Sequence, residues 1–264
     1  MEKTINLINS CTSEVKYTLT TFPDGEPHIK FSEEINRKSN YNIHCRITNP
    51  SDLFVLAQVC DILNRSSVDF NINIFYLMSM RMDRVITFEE SFTLKLVADI
   101  INSFGAKKVF MFEPHSEKTL TLIHNCHVLN PQVFDTQGCI VCYPDAGAMI
   151  RYSAGYDCIC LEKTRDLKNN GKLTGMKFSH IGENIVGNTI LVRDDLCDGG
   201  GTFVLAAKLL REKFPDKKLS IFVNHMVNPR GIENLSVNYD DVYFTNSYKN
   251  WDNLPLNCHL IEVV

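Results

Sequence analysis

The feature that most constrains this chain is a strand–turn–helix unit that recurs in both halves. In the second half the apolar run "NTILV" (188–192) breaks into two acids, an isolated acid and three glycines. The helical pattern "TFVLAAKLLREKF" (202–214) follows at once, and "LSIFVNHM" (219–226) returns as a strand. In the first half "NINIFYLM" (71–78) reads as a strand and leads through a polar turn containing "RMDR". Phe92, Leu96, Val97, Ile100, Ile101 and Phe104 then form a stripe at helical spacing, with Thr87 and Glu90 at capping-box spacing and Gly105 suited to the C-terminal cap. "KKVFMFEP" (107–114) is the next strand. A further helix is expected from Ser51, as N-cap, to Leu63, and "CIVCYP" and "YDCICLEK" read as short buried strands. Such alternation predicts an α/β chain of mostly parallel sheets flanked by helices.

Residues 128–138 hold Pro, Asn and Gly without a period, which predicts a boundary between domains 1–130 and 131–264. Residues 164–188 are too polar and glycine-rich for a core element and predict a long loop, the kind that often serves as a functional lid.

At 264 residues the chain can bury a sizeable core. Its net charge of −4 gives no reason to expect nucleic acid or an anionic membrane as partner. No apolar run is long enough to span a bilayer, and "MEKTINLINSC" lacks the apolar core of a signal peptide, so a cytoplasmic location is expected. The ten cysteines are scattered. Cys139 and Cys142 form a CxxC in a β-like run, where residues three apart face opposite sides and cannot share a metal. The cluster "HNCH" (124–127) has no second ligand pair at zinc spacing. Thiols in a reducing compartment are the simpler reading.

Candidate chemistry concentrates in "ILVRDDLCDGGGTFVLAAKLL" (190–210). Ligands of parallel α/β units bind at the carboxyl ends of strands, where the run delivers Asp194 and Asp195. Gly199, Gly200 and Gly201 let backbone N–H groups turn inward, and Thr202 begins a helix whose N-terminus favours an anion. Carboxylates would repel a bare phosphate, so Asp194, Asp195 and Asp198 are expected to face sugar hydroxyls, Mg²⁺, or both. A capped helix after a flexible glycine turn is the plainer reading. The order strand, paired acid, glycines, helix makes it the weaker one.

The segment "VRDDLCDGGGT" resembles the ribose-phosphate loop shared by type I phosphoribosyltransferases and ribose-phosphate pyrophosphokinases. Other segments resemble the pyrophosphokinase family alone: "FPDGE" (22–26) its adenine loop, "YLMSMRMDR" (76–84) its arginine loop, "EPHSEK" (113–118) its histidine segment, "YPDAGAMIR" (143–151) its metal-binding aspartate and "LEKTRD" (161–166) the start of its flexible catalytic loop. The resemblance implies two phosphoribosyltransferase-like domains with ATP at their junction. It implies Phe22, Asp24, Glu26, Arg81, Asp83 and His115 on ATP, His115 and Asp145 on Mg²⁺, and Lys163, Arg165 and His115 in catalysis. Asp194, Asp195, Asp198, Gly199, Gly200, Gly201 and Thr202 would hold the ribose phosphate. Taken singly, Lys163 and Arg165 read as solvated loop charges, His115 as a strand-end group and Asp145 as a turn residue; the ordered set favours function.

The implied reaction moves pyrophosphate from ATP to the anomeric hydroxyl of ribose 5-phosphate. A homo-oligomer of at least two subunits is implied because the family's adenine loop serves a neighbouring chain. Departures are Met82 for a glutamine, "FEES" (88–91) without a basic residue, Pro114 before the histidine, and Gly199 for a threonine. The ends and the 128–138 connection are also shorter than the family pattern, which bears on assembly and regulation. The Gly199 change opens an alternative acceptor, a 5-substituted ribose such as ADP-ribose. Further alternatives are a phosphoribosyltransferase and a non-catalytic regulatory relative.

Overall fold

The computed structural model describes residues 2–129, 134–153, 155, 157–166 and 172–264, except the side chains of 165, 166 and 172–174. The chain divides into two compact units, Met1–Pro131 with Val264, and Gln132–Val263.

Unit 1 is built on a parallel sheet of β1 (Glu2–Asn6), β4 (Asn40–Ile47), β5 (Phe70–Leu77), β6 (Lys108–Phe112) and β7 (Cys126–Leu129), side by side in that order. Helices α1 (Pro50–Arg65), α2 (Thr93–Asn102) and α3 (Glu117–Leu122) connect the last four strands. Each step advances one strand in the same direction, so right-handed crossovers put all three helices on one face. Between β1 and β4 the chain makes a separate antiparallel hairpin, β2 (Tyr17–Thr21) and β3 (Pro27–Phe31), whose tip is Phe22–Glu26. Ile43, Ile47, Ile72, Ile74 and Leu77 from the strands and Leu56, Val59 and Leu63 from α1 are fully buried.

Two helix starts differ from expectation. The N-cap of α1 is Asn49, not Ser51: its Oδ1 accepts from the N–H groups of Ser51 (2.8 Å) and Asp52 (3.2 Å). The Asp52 carboxylate reaches back to the Thr48 N–H at 2.8 Å, which makes the arrangement reciprocal. Helix α2 begins at Thr93, after the Thr87/Glu90 pair, which closes a turn instead. Its buried face is Leu94, Val97, Ala98 and Ile101, with Leu96 and Ile100 exposed. Tertiary packing, not the stripe, decided that face.

Unit 2 carries a seven-stranded sheet in the order β10 (Lys172–Ile181), β9 (Ile159–Asp166), β8 (Cys139–Tyr143), β11 (Thr189–Cys197), β12 (Lys218–Met226), β13 (Asp241–Thr245), β14 (Cys258–Ile261). All neighbours are parallel except the β9–β10 pair. Helices are α4 (Ala146–Tyr152), α5 (Gly201–Lys213) and α6 (Pro229–Asn238). Phe203, Ala206, Ala207 and Leu210 of α5, at i, i+3, i+4 and i+7, join Ile190, Val192, Ile221, Val223 and Phe244 in the core. Trp251, the only tryptophan, packs against this core with the Lys249 ammonium 5.1 Å from its ring centre.

The 164–188 region is not a single long loop. Residues 159–166 and 172–181 pair as antiparallel strands with two register shifts, and 167–171 lie outside the described residues. A polar composition does not exclude strands, because an antiparallel pair can leave one face to solvent. Among the described residues no helix is long and apolar enough to cross a membrane. The thiols are free, with Cys142 in the core and Cys139 half-buried.

The cap geometry generates a stability test. Asn49→Ala should lower unfolding free energy by about 1 kcal/mol, whereas Ser51→Ala should stay within about 0.5 kcal/mol, both read from urea midpoints at constant m.

Candidate functional site

In unit 2 the winding reverses between β8 and β11. The chain leaves β8 through α4 towards β9 on one side, and leaves β11 through α5 towards β12 on the other. A reversal of this kind leaves a crevice at the carboxyl ends of the two central strands. Asp145 follows β8, and Asp194, Asp195 and Asp198 end β11, so one crevice collects all four acids.

The glycine loop is shaped by its neighbours. Gly200 is the cap of α5 at φ +78°, in the left-handed region that suits glycine, and offers no side chain to the first helical N–H groups. Those donors are left for an anion. Helix α6 braces the loop from below. Asn234 Nδ2 donates to the Gly199 carbonyl at 2.7 Å, and Asn228 Nδ2 donates to Asp198 Oδ1 at 3.0 Å. Gly231 lies so close that a Cβ there would come within 2.3 Å of the Asp198 carbonyl oxygen and 2.9 Å of Cys197 Sγ. At Gly199 and Gly201, by contrast, a Cβ would meet nothing within 4 Å.

Asp145 is both a cap and half of an ion pair. Its Oδ1 accepts from the Ala148 N–H at 3.0 Å, and its Oδ2 receives Lys163 Nζ from β9 at 2.8 Å. Burial works to raise its pKa, but Lys163 and the helix N–H groups outweigh it and hold the carboxyl below its ordinary value. At the other end of α4, Arg151 Nη1 lies 2.7 Å from Asp195 Oδ1 and 4.0 Å from Asp194 Oδ1. The Asp195 side chain is only 4% exposed and Arg151 26%. Burial first, and then the charge of Asp195, push the Asp194 carboxyl well above the usual carboxylate range; Asp145 adds in the same direction. The ring of Tyr152 sits between two guanidinium groups, Arg193 at 4.3 Å and Arg151 at 5.6 Å, and Asn224 Nδ2 donates to its hydroxyl at 3.2 Å. The backbone of Arg165 lies in β9; its side chain falls outside the described residues.

In unit 1, Phe22, Asp24 and Glu26 occupy the exposed tip of the β2–β3 hairpin. The turn is closed by Gly25 N–H to Phe22 O (2.8 Å) and Glu26 N–H to Asp24 Oδ1 (3.1 Å). Arg81 and Asp83 follow β5 and His115 follows β6, so adjacent parallel strands bring them to one edge. Asp83 is buried; the Arg84 guanidinium at 2.9 Å is the main cause of its lowered pKa. Lys118 Nζ ties the two loops by donating to the Asp83 carbonyl at 3.1 Å.

Sequence reasoning missed Lys118, Arg151, Tyr152, Asn224, Asn228, Gly231 and Asn234. Arg151 had a local signal, six residues beyond Asp145 on a short helical stretch. The others act across long sequence separations and have none.

No family model matches the chain. It is 26% identical to the ribose-phosphate pyrophosphokinase of Mycoplasma pneumoniae over 247 residues, covering 85% of this chain and 74% of that protein. The corresponding protein of Mycoplasma genitalium is 29% identical over 230 residues (81% and 68%), and that of Helicobacter hepaticus 25% over 251 residues (88% and 79%). The resemblance read from separate motifs thus runs through most of the chain. Among solved structures, a phosphoribosylpyrophosphate synthetase from Mycobacterium smegmatis superposes with a TM-score of 0.77 at 19% identity, covering 96% of this chain and 88% of that one. The likeness establishes the fold.

The raised pKa of Asp194 has a measurable sign. A carboxyl whose pKa is higher folded than unfolded contributes stability that is lost as pH rises from the unfolded value through the folded one. Asp194→Asn should therefore raise the Tm of the ligand-free protein by a few degrees at pH 7–8. The gain should shrink as pH falls towards 4, followed by calorimetry.

Proposed function

We propose that this chain is an ATP-dependent pyrophosphokinase acting on ribose 5-phosphate, giving phosphoribosyl pyrophosphate and AMP. The observation that carries the reading is the crevice at the β8/β11 reversal. It joins Asp145 and Lys163 to the acid–glycine loop at the α5 N-terminus, in a chain similar to ribose-phosphate pyrophosphokinases over most of its length.

In this reaction the anomeric hydroxyl oxygen bonds to the β-phosphorus of ATP, the bond from that phosphorus to the α-phosphate bridging oxygen breaks, and AMP leaves. The hydroxyl proton passes to solvent. Enzymes of phosphoryl transfer mostly position groups and offset charge. Gly200, Gly201 and Thr202 supply N–H donors for the 5-phosphate, Gly199 leaves room beside it, and Asp194, Asp195 and Asp198 face the ribose hydroxyls. Lys163 and Arg165 neutralise the transferring phosphates.

In unit 1, Arg81, Asp83 and His115 meet ATP, with Lys118 tying the loop of Asp83 to that of His115. The exposed ring of Phe22, flanked by Asp24 and Glu26, suits the adenine of a neighbouring subunit's ATP, so a homo-oligomer of two or more chains is part of the proposal.

Mg²⁺ fits the residues present. No group of three or more His, Cys, Asp or Glu among the described residues forms a metal cage. Mg²⁺ needs only one or two carboxylates with phosphates and water, and Asp145 lies near enough to Asp194 to shift its pKa. Asp145 and His115 are the residues that would hold Mg²⁺, which would neutralise phosphate charge.

A second acceptor is favoured by one observation: at Gly199 a side chain would meet nothing within 4 Å. That open space beside the phosphate loop suits a 5-substituted ribose such as ADP-ribose. A phosphate monoester profits from every donor, whereas a diphosphate ester needs more room and carries less charge on the bound phosphate.

Incubation with Mg·ATP and ribose 5-phosphate should release AMP in step with acceptor consumed. Lys163→Ala should lower kcat by about 10²–10³-fold. Equal inertness of wild type and Lys163→Ala would refute an enzymatic role. Mass spectrometry with ADP-ribose as acceptor tests the second reading: product from ribose 5-phosphate alone rejects it. If ADP-ribose is used, Gly199→Thr should shift kcat/KM towards ribose 5-phosphate by about tenfold.

A further inference from the structure

Helix α4 carries an acid–base pair at each end. At its start Asp145 holds Lys163 of β9, and at its finish Arg151 holds Asp195 of β11. In the second pair Asp195 is buried and Arg151 partly exposed, and the residue next to Arg151 keeps it in register. Tyr152 is fixed by the Arg193 guanidinium against its ring and by Asn224, itself buried, at its hydroxyl. Two acids of the proposed acceptor site, Asp145 and Asp195, are therefore already matched by cations of the same chain.

Charge balance limits what can open such a site. A divalent cation arriving alone would have to approach Asp145 and Asp195 past Lys163 and Arg151. An anion arriving alone would recruit those two cations and take from the buried Asp195 its ion-pair partner, which is strongly unfavourable. An anion and a cation arriving together replace both partners at once: the anion takes Lys163 and Arg151, and the acids are offered to the cation and to sugar hydroxyls.

We propose that Arg151, as a positioning residue, and Lys163, before it meets the transferring phosphates, hold Asp195 and Asp145 as their counter-cations and thereby make divalent-cation and phosphate binding mutually dependent. The inference rests on the reading of unit 2 as the acceptor site. Coupling of this kind is reciprocal, so it is measurable from the metal side without turnover.

The experiment is an equilibrium titration of the intact protein with Mn²⁺, free Mn²⁺ being counted by electron paramagnetic resonance, with and without ribose 5-phosphate. In the absence of phosphate, Arg151→Gln and Lys163→Gln should each bind Mn²⁺ at least fivefold more tightly than wild type, because each removes a competing cation. Arg151→Lys should return towards wild-type affinity, which a mere loosening of α4 would not produce. Ribose 5-phosphate should tighten Mn²⁺ binding to wild type severalfold and have less effect in either Gln variant. Unchanged or weaker Mn²⁺ binding by both Gln variants would overturn the proposal. If ribose 5-phosphate leaves the Mn²⁺ affinity of wild type unchanged, the mutual dependence is overturned even where the Gln variants bind Mn²⁺ more tightly; whether ribose 5-phosphate is the acceptor is read separately, from AMP release.

Discussion

The change of winding direction between β8 and β11 is the constraint from which the site of unit 2 follows. A right-handed crossover allows a parallel strand to be reached only from one side for a given direction of travel. Once the chain has gone from β8 to β9 through α4 and then from β11 to β12 through α5, the two helices must leave on opposite faces. The strand ends between them cannot be covered by either. The polar residues of the unit gather there because it is the one place in the sheet's centre where backbone and side chains remain open to a ligand. Unit 1, whose strands advance in one direction only, has no such reversal and keeps its candidate residues at the ends of β5 and β6 and on a projecting hairpin.

Within the crevice, electrostatics and packing pull in different directions. Two consecutive carboxylates at the end of a buried strand are costly, as the raised pKa of Asp194 expresses. Arg151 relieves part of that cost at Asp195, and its own freedom is restricted by the neighbouring Tyr152. The loop beside them is held by uncharged contacts: Asn234 and Asn228 by hydrogen bonds, Gly231 by the absence of a side chain. A braced glycine loop thus lies beside a set of paired charges.

How much of this was legible in the sequence depended on how local each signal was. The acid–glycine segment spells strand, turn and helix within one continuous stretch, and each part folds as its composition implies. Lys163 and Asp145 could be named from short motifs, although their pairing could not, because it joins β9 to the end of β8. Asn49 and Ser51 are both good caps two residues apart, and only backbone geometry chooses Asn49. The Thr87/Glu90 pair satisfied a pattern that the chain uses for a turn. The β9–β10 pair was hidden by its polarity, and the brace from α6 by distance along the chain: Asn234 meets Gly199 across 35 positions.

The single tryptophan gives the molecule an internal spectroscopic division. Trp251 packs against the core of unit 2, and unit 1 has no tryptophan. Indole emission therefore follows one half of the chain while far-ultraviolet dichroism follows both. Superimposable transitions from the two signals would mean that the halves melt as a single cooperative body, and separated ones would resolve the stability of each without dissecting the protein.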